Sequence, residues 1–242
     1  MDFDVIKQNI GDFPLGETFW FEETDSTNDR LKESAVGTLA VAGKQSRGKG
    51  TRGRSFESEE GGLYFSFVSP PWEKINLMTP AAAVAVSETL DELTDLKTEI
   101  KWVNDVYAGG RKLCGILCER SKEGVVVGIG INIENDVPKQ LLGGATSVKI
   151  EGGKIPDKET LIAGIIRRFS AFGNDESHSF MSEYKRKNLV IGRKIEYVVS
   201  GEILSGVATD VTADGLLEVD GERLLSSGDV RIKLKNEIGD NI

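Results

Sequence analysis

KWVNDVYAGGRKLCGILCE, residues 101–119, is the stretch on which the reading of the fold turns. Gly109-Gly110 stands between two apolar runs and reads as a tight hairpin turn. If the turn has two residues, Tyr107 faces Lys112 across the ladder, and Asp105 projects on the same face, one diagonal neighbour away. A carboxylate and an ammonium that close on a sheet face form either a surface ion pair, worth well under about 1 kcal/mol, or a site for a charged substrate and a metal. Spacing alone does not separate the two. Asn132, in GIGINIEND after the next apolar run, is either a turn residue or a polar group at a strand end.

Outward from the hairpin, strand signals occupy 18–22, 38–42, 63–68, 100–102, 106–107, 112–118 and 125–133, with Pro70-Pro71 stopping the third. Asp25-Ser26-Thr27-Asn28-Asp29 reads as a helix start of the Ser-x-x-Asp type, with Leu31 and Ala35 as its apolar face. Thr79-Pro80 reads as a cap followed by proline in the first turn of an alanine-rich helix to 93. Further helices are expected over 157–172 and 176–187. Beyond Asn188 the texture changes to GRKIEYVV, SGVATDVT, LLEVD and ERLLSS, with the hairpin signals Asp214-Gly215 and Asp220-Gly221 between such runs. The expected organisation is an α+β domain at 1–187, built on a mixed sheet with flanking helices, then a small β-barrel-like domain at 188–236 and a frayed tail at 237–242.

Composition narrows the chemistry. The 242 residues carry 39 acids against 30 Lys plus Arg, a net charge of −9, with 39% hydrophobic and 29% charged residues. That balance opposes sequence-independent binding to nucleic acid, which depends on phosphate neutralisation. One histidine, His178, excludes His-rich zinc sites and leaves a single Ser-His-Asp or Cys-His arrangement to consider. Cys114 and Cys118 do not have CxxC spacing and read as buried thiols of a reducing cytoplasm. No run reaches the roughly 18 apolar residues of a membrane span, and the acidic start MDFDVIKQNIGDFP lacks the basic and apolar regions of a secretory signal.

A local basic cluster therefore needs a local purpose. QSRGKGTRGRSF, residues 45–56, and the preceding Lys44 supply five cations, Lys44, Arg47, Lys49, Arg52 and Arg54, with the glycines 48, 50 and 53. Glycines let backbone N–H groups approach a ligand, and cations neutralise phosphate or carboxylate. The segment reads as an anion-binding loop or as a solvated surface loop. It is not a P-loop, because Arg54 stands where lysine is needed and more loop follows. The dinucleotide fingerprint fails at Gly128-Ile129-Gly130, where Ile133 takes the third glycine position.

In order along the chain, these segments resemble the biotin–protein ligase family. Gln45 to Phe56 follows the family's Q-x-x-G-R-G-x-x-G-R-x-W with substitutions; Lys101-Trp102-Val103-Asn104-Asp105 and Gly110 to Leu117, then Glu119, follow KWPND…GRKLAGIL…E. GIGIN at 128–132 and Ser26-Thr27-Asn28 complete the set, which spans about residues 20–135. Each motif is weak alone; four in order are specific.

The resemblance implies a class II synthetase-like catalytic domain, an SH3-like C-terminal β domain, and two reactions on one site. Biotin's carboxylate attacks the α-phosphate of ATP, with Mg²⁺, giving biotinyl-5'-adenylate and pyrophosphate. A lysine of a biotin carboxyl carrier domain of a carboxylase then attacks the mixed anhydride. Bringing two anions together requires cations and backbone donors. By carry-over, Lys112 contacts the biotin carboxylate and developing phosphate charge, and Lys49 with the N–H groups of Gly50 and Thr51 closes over the adenylate. Ser26, Thr27, Asn28 and Gln45 bond the ureido end, with Gly48 and Gly115 beside biotin. Arg52, Arg54, Trp102, Asn104, Asp105 and Asn132 are assigned to the nucleotide side, and Asp105 to Mg²⁺.

Lys49 and Thr51 stand where the family usually has arginines, and an ammonium lacks the bidentate fork of guanidinium. This loop is expected to hold the adenylate less tightly. Val103 and Phe56 replace proline and tryptophan and read as packing changes. Fewer than twenty residues precede the first strand, so an N-terminal helix-turn-helix repressor domain, and with it DNA binding, is not expected. The rivals are a lipoate–protein ligase and a non-catalytic biotin or nucleotide sensor. A sheet edge could pair two subunits, which one sequence does not establish.

Overall fold

The computed structural model describes residues 1–137, 144–199, 201–226 and 230–232. Seven strands form one mixed sheet: β1 (Thr18–Thr24), β2 (Leu39–Gln45), β3 (Leu63–Ser69), β4 (Thr98–Lys101), β5 (Asp105–Ala108), β6 (Arg111–Arg120) and β7 (Val125–Ile131), in the order β1-β2-β3-β7-β6-β5-β4. Only β1 and β2 run parallel; the remaining neighbours are antiparallel. The helices are α1 (Phe3–Asn9), α2 (Thr27–Arg30), α3 (Met78–Thr94), α4 (Lys158–Gly173) and α5 (Phe180–Arg186).

Period-two alternation decides what each sheet face carries. Leu39, Val41, Leu63, Phe65, Phe67, Val127, Ile129 and Ile131 join the main core with the alanine-rich face of α3 and with Leu161, Ile165 and Phe169 of α4. The alternate residues Ala40, Val68 and Val126 pack with Leu31 in a second, smaller cluster on the other face. That second face is only partly covered, and the functional groups lie there.

The Gly109-Gly110 turn forms as expected, with φ of +55° and +75°, the left-handed conformation a two-residue hairpin of this kind needs. Tyr107 pairs with Lys112, but Asp105 pairs with Gly115 because the register shifts beyond Val106. The extra residue is on β6. Leu113 and Cys114 are consecutive and both buried, so Lys112 and Gly115, three apart, share the open face.

Several expected elements are corrected. α2 is a single turn; Ala35 is exposed, and Thr27 and Asn28 turn inward to polar partners in place of an apolar stripe. Ser26 makes no side-chain cap; the Asp25 carboxylate accepts from the Ser26 N–H instead. α3 begins at Met78, after a short 3₁₀ turn at Ile75–Leu77, so Thr79 lies inside the helix and does not cap it. Pro80 still falls in the first turn, where a missing N–H costs no helical bond. α5 starts only at Phe180, because Asp175 collects the N–H and hydroxyl groups of Ser177 and Ser179 and closes a separate turn.

The C-terminal strands are β8 (Lys194–Val199), β9 (Glu202–Val211), β10 (Leu217–Val219), β11 (Arg223–Leu225) and β12 (Val230–Ile232), antiparallel in the order β11-β10-β9-β8-β12. β12 was not among the expected runs. Among the described residues β11 and β12 are the edges of this five-stranded sheet. The expected tail at 237–242 lies outside the described residues. The junction between the two parts is itself bonded to the large sheet: the Ile100 N–H donates to Lys187 O, and the Leu189 N–H to Ile100 O.

No helix among the described residues is long and apolar enough to cross a membrane. Cys114 and Cys118 are unbridged; burial raises both thiols, Cys118 to about 11. His178 sits at φ +50° with its ring against that of Phe180.

Candidate active site

Three β6 and β7 positions, Gly115, Gly128 and Gly130, open the partly covered face. Gly115 pairs with Gly130, and Gly128 with Leu117. A Cβ at Gly128 would lie 1.8 Å from Asn28 Oδ1, so only glycine admits α2 here. The two glycines of GIG therefore serve as alternate positions of one strand, on one face.

At one end of this glycine floor is a buried polar pocket. Ser26, Thr27, Asn28, Gln45, Lys49, Phe56, Gly115 and Leu117 are among its walls, and its volume is about 30 Å³. Its groups are tied together. Gln45 Oε1 accepts from the Thr27 N–H (2.8 Å) and the Thr27 hydroxyl (3.1 Å), while Gln45 Nε2 donates to Ser58 Oγ. Asn28 Nδ2 donates to Glu119 Oε2 (2.8 Å) and Asn28 Oδ1 accepts from Ser66 Oγ (2.7 Å). Ser66 and Ser58 bond the polar groups of the pocket, and no motif announced them. The signal for Ser66 was only a polar residue on the second face of the otherwise apolar β3, and Ser58, in the loop before β3, had none.

At the other end is a cavity of about 300 Å³ whose walls include Lys112, Asn132, Asn135, Phe56, Glu57 and Glu59. Lys112 Nζ lies 2.7 Å from Asp105 Oδ1, an ion pair without hydrogen-bond alignment. Both side chains of the pair are half-buried, and Lys112 also lines the cavity. Asn132 donates to Thr146 O and accepts from Asn135 Nδ2, so its amide is held on both sides.

Phe56 lies between the two ends. A Cβ on Gly115 would be 2.8 Å from Phe56 Cε2, and one on Gly130 2.6 Å from Cε1, so the ring rests on both glycines. Lys112 Nζ is 5.6 Å from its centroid, within cation–π range. Read as a packing residue from sequence, Phe56 in fact covers the floor that joins the two pockets.

The basic loop closes over this face as a chain of bonded groups. The Phe56 N–H donates to Gly48 O and the Gly50 N–H to Arg54 O; Arg52 and Gly53 take φ of +60° and +74°. Gly48 packs tightly, a Cβ there reaching 2.3 Å from Phe56 O. Arg54 donates to Thr51 Oγ1 and Thr51 O, and both Arg52 and Arg54 are exposed. Lys49 Nζ contacts Asp29 Oδ1 at 2.5 Å, and Lys32 shares that carboxylate at 2.7 Å. Burial alone would raise Asp29, but hydrogen bonds from Lys32 and Lys49 outweigh it and hold the carboxyl below its ordinary range.

Two expected site residues stand apart. Trp102 is 3% exposed and lines neither pocket; its indole N–H donates to Gly215 O in the C-terminal sheet. Asn104 Nδ2 donates to Ile116 O, fastening the loop before β5 to β6. Among the described residues no group of three His, Cys, Asp or Glu side chains could hold a metal unaided. A Mg²⁺ carried by ATP phosphates needs only one or two carboxylates, and Asp105, with a buried Oδ1 lacking a hydrogen bond, fits that requirement.

The face thus carries a polar pocket at one end and a lysine–aspartate pair beside a cavity at the other. Residues 20–136 match the biotin/lipoate A/B protein ligase family. The bifunctional ligase/repressor BirA of Escherichia coli is 31% identical over 240 residues, covering 89% of this chain and 73% of its own. The Bacillus subtilis BirA is 38% identical over 145 residues, 55% of this chain; the chain spans only 45% of that relative's length. The biotin–[acetyl-CoA-carboxylase] ligase of Mycobacterium tuberculosis is 28% identical, with 86% of each chain covered. Among solved structures, the Aquifex aeolicus biotin protein ligase in complex with biotin and ATP superposes with a TM-score of 0.80 at 31% identity, covering 90% of this chain and 99% of that one. The chain belongs to the biotin/lipoate A/B protein ligase family. Within it, these relatives are biotin ligases, which argues against the lipoate alternative.

Proposed function

We propose that this chain activates biotin with ATP and transfers it to a carrier-domain lysine. One observation carries the reading: a satisfied polar pocket and the Lys112 cavity lie on one sheet face, joined by the side-chain-free floor of Gly115 and Gly130. A ligand with an uncharged polar head, an apolar body and a terminal carboxylate matches that order. Ser26, Thr27 and Gln45 receive the ureido end, and the floor receives the apolar body once Phe56 swings away. Lys112 meets the carboxylate.

In the first step a biotin carboxylate oxygen forms a bond to the α-phosphorus while the bond to pyrophosphate breaks. Lys112 then exchanges Asp105 for substrate oxygens and offsets their repulsion. Lys49, released from Asp29, neutralises phosphate charge. Asp105 would hold the Mg²⁺ of MgATP, which supplies charge neutralisation on the phosphates when bound. Asn132, fixed by Thr146 and Asn135, faces the nucleotide side. In the second step the acceptor's ε-amine attacks the acyl carbon, AMP leaves, and the nitrogen loses a proton. The acceptor is a carboxylase's biotin carboxyl carrier domain, in keeping with the name of the M. tuberculosis relative. Its ATP requirement suits the cytoplasm.

The test is ATP–pyrophosphate exchange with biotin, with lipoate and with neither. Exchange only with biotin is expected; exchange without biotin overturns the reading, exchange with lipoate alone moves it to the other ligase, and biotin binding with no exchange makes the chain a sensor.

A further inference from the structure

Among the described residues, the C-terminal sheet meets the segment that leads to the site at the Trp102 side chain. The β9–β10 turn, Asp214-Gly215, docks against the start of α3: Lys74 Nζ lies 2.8 Å from Asp214 Oδ1, and Asn76 Nδ2 donates to Asp214 O at 2.6 Å. Gly215, at φ +78°, sits beside Leu77 and Pro80, and its carbonyl accepts the Trp102 indole N–H at 3.0 Å.

From Trp102 the chain runs directly into the reacting groups, and every step is fastened. Val103 O accepts from the Tyr184 hydroxyl at 3.0 Å. Asn104 exchanges two bonds with β6, its Nδ2 donating to Ile116 O and its carbonyl accepting from the Ile116 N–H. Asp105 then meets Lys112. The 102–105 segment is therefore held at one end by the C-terminal sheet and ends at the ion pair that must reorganise during adenylation. A shift of about 1 Å at a reacting group far exceeds what catalytic geometry tolerates.

We propose that the Asp214-Gly215 turn is a positioning element for adenylation, with Trp102 as the positioning residue that sets Asp105 and Lys112. This rests on the ligase reading for its kinetic consequence but not for its structural one. The hydrogen-bonding groups of the ureido pocket come from α2 and β2 and meet this path only at the β6 backbone beside Gly115 and Leu117, so the larger effect falls on adenylation and the smaller on biotin recognition.

The test uses the full chain with Trp102→Phe, which keeps an aromatic body and removes the N–H donor, and Asn76→Ala, an exposed change that loosens the turn without touching Trp102. Expected for Trp102→Phe is a fall of about tenfold in kcat of biotin-dependent exchange with KM for biotin within about twofold. Asn76→Ala should give a smaller fall with the same split, and the double variant no more than Trp102→Phe alone, since both act through one turn. Hydrogen exchange provides a readout independent of activity: the Ile116 amide should exchange about tenfold faster in Trp102→Phe while that of Val127, on β7, is unchanged. If Trp102→Phe does not fold, Asn76→Ala decides by the same two readouts. Unchanged Ile116 exchange, or an unchanged kcat in a wild-type-active enzyme, overturns the proposal. A wild type without biotin-dependent exchange, but with the Ile116 effect, overturns the ligase reading and leaves the clamp standing.

Discussion

The two ends of the cleft are built by opposite strategies. In the polar pocket Ser26, Thr27 and Asn28 are at most 4% exposed, and Gln45 Oε1 and Asn28 have their hydrogen bonds made within the protein. At the charged end Lys112 is paired with a carboxylate, Asp105, that it would leave for an anionic ligand, and at the border of the polar pocket Lys49 is paired likewise with Asp29. An uncharged head can be recognised by groups fixed in advance, because their burial is compensated whether or not the ligand is present. A lysine kept for an anion must be charge-compensated in the meantime, so its partner is an exchangeable carboxylate.

That contrast is broken most severely at Lys112. Lys112→Ala should lower kcat of biotin-dependent exchange by at least about 100-fold while calorimetric biotin binding changes far less; equal losses in both would erase the distinction between the ends. Next comes Gly128→Ala, whose methyl would lie 1.8 Å from Asn28 Oδ1. Overpacking should cost about 1–3 kcal/mol in urea unfolding, and biotin binding should be lost together with stability.

Phe56→Ala separates plug from lid. As the ring occupies the glycine floor, its removal should raise the biotin association rate by about tenfold, one decade or 1.4 kcal/mol of ring displacement; stopped-flow binding with an unchanged on-rate and a faster off-rate would make Phe56 a cover alone. In the loop, Lys49→Arg with Thr51→Arg should slow adenylate release, as forked guanidinium contacts replace a point charge. Equal off-rates from the two proteins would remove that account of the loop.

The smallest effect lies outside both ends. Asp157 Oδ1 accepts from the Thr160 N–H and hydroxyl at the start of α4, and those bonds hold its carboxyl below its ordinary value of 3.8. The stabilisation is therefore present above the unfolded value and is lost as pH falls through the folded one. Asp157→Ala should cost about 1 kcal/mol at neutral pH and progressively less below about pH 4 in urea titrations.

The local elements were legible where one signal governs them. Gly109-Gly110 encloses a two-residue hairpin because two successive positive-φ positions exclude most other residues. The helix at 157–172 was legible because a capping aspartate precedes a strong apolar period. Helix starts were misread wherever a polar side chain had a distant partner: Thr27 and Asn28 serve Gln45 and Ser66, and Asp175 closes its own turn. Those competing bonds come from other elements or from turn geometry, which local patterns do not encode.

The same division runs through the site. Residue types by themselves left the lysine–aspartate pair and the basic glycine loop open between a site and a solvated surface; it was the resemblance of the ordered motifs to the biotin–protein ligase family that placed them, with the Ser-Thr-Asn turn, in one chemistry. Tertiary structure alone decided that the Trp102 indole bonds the C-terminal sheet, that Phe56 lies over Gly115 and Gly130, and that Ser58 and Ser66 bond the polar groups of the pocket. Each depends on strands far apart in sequence meeting in one register, and register is a property of the whole sheet.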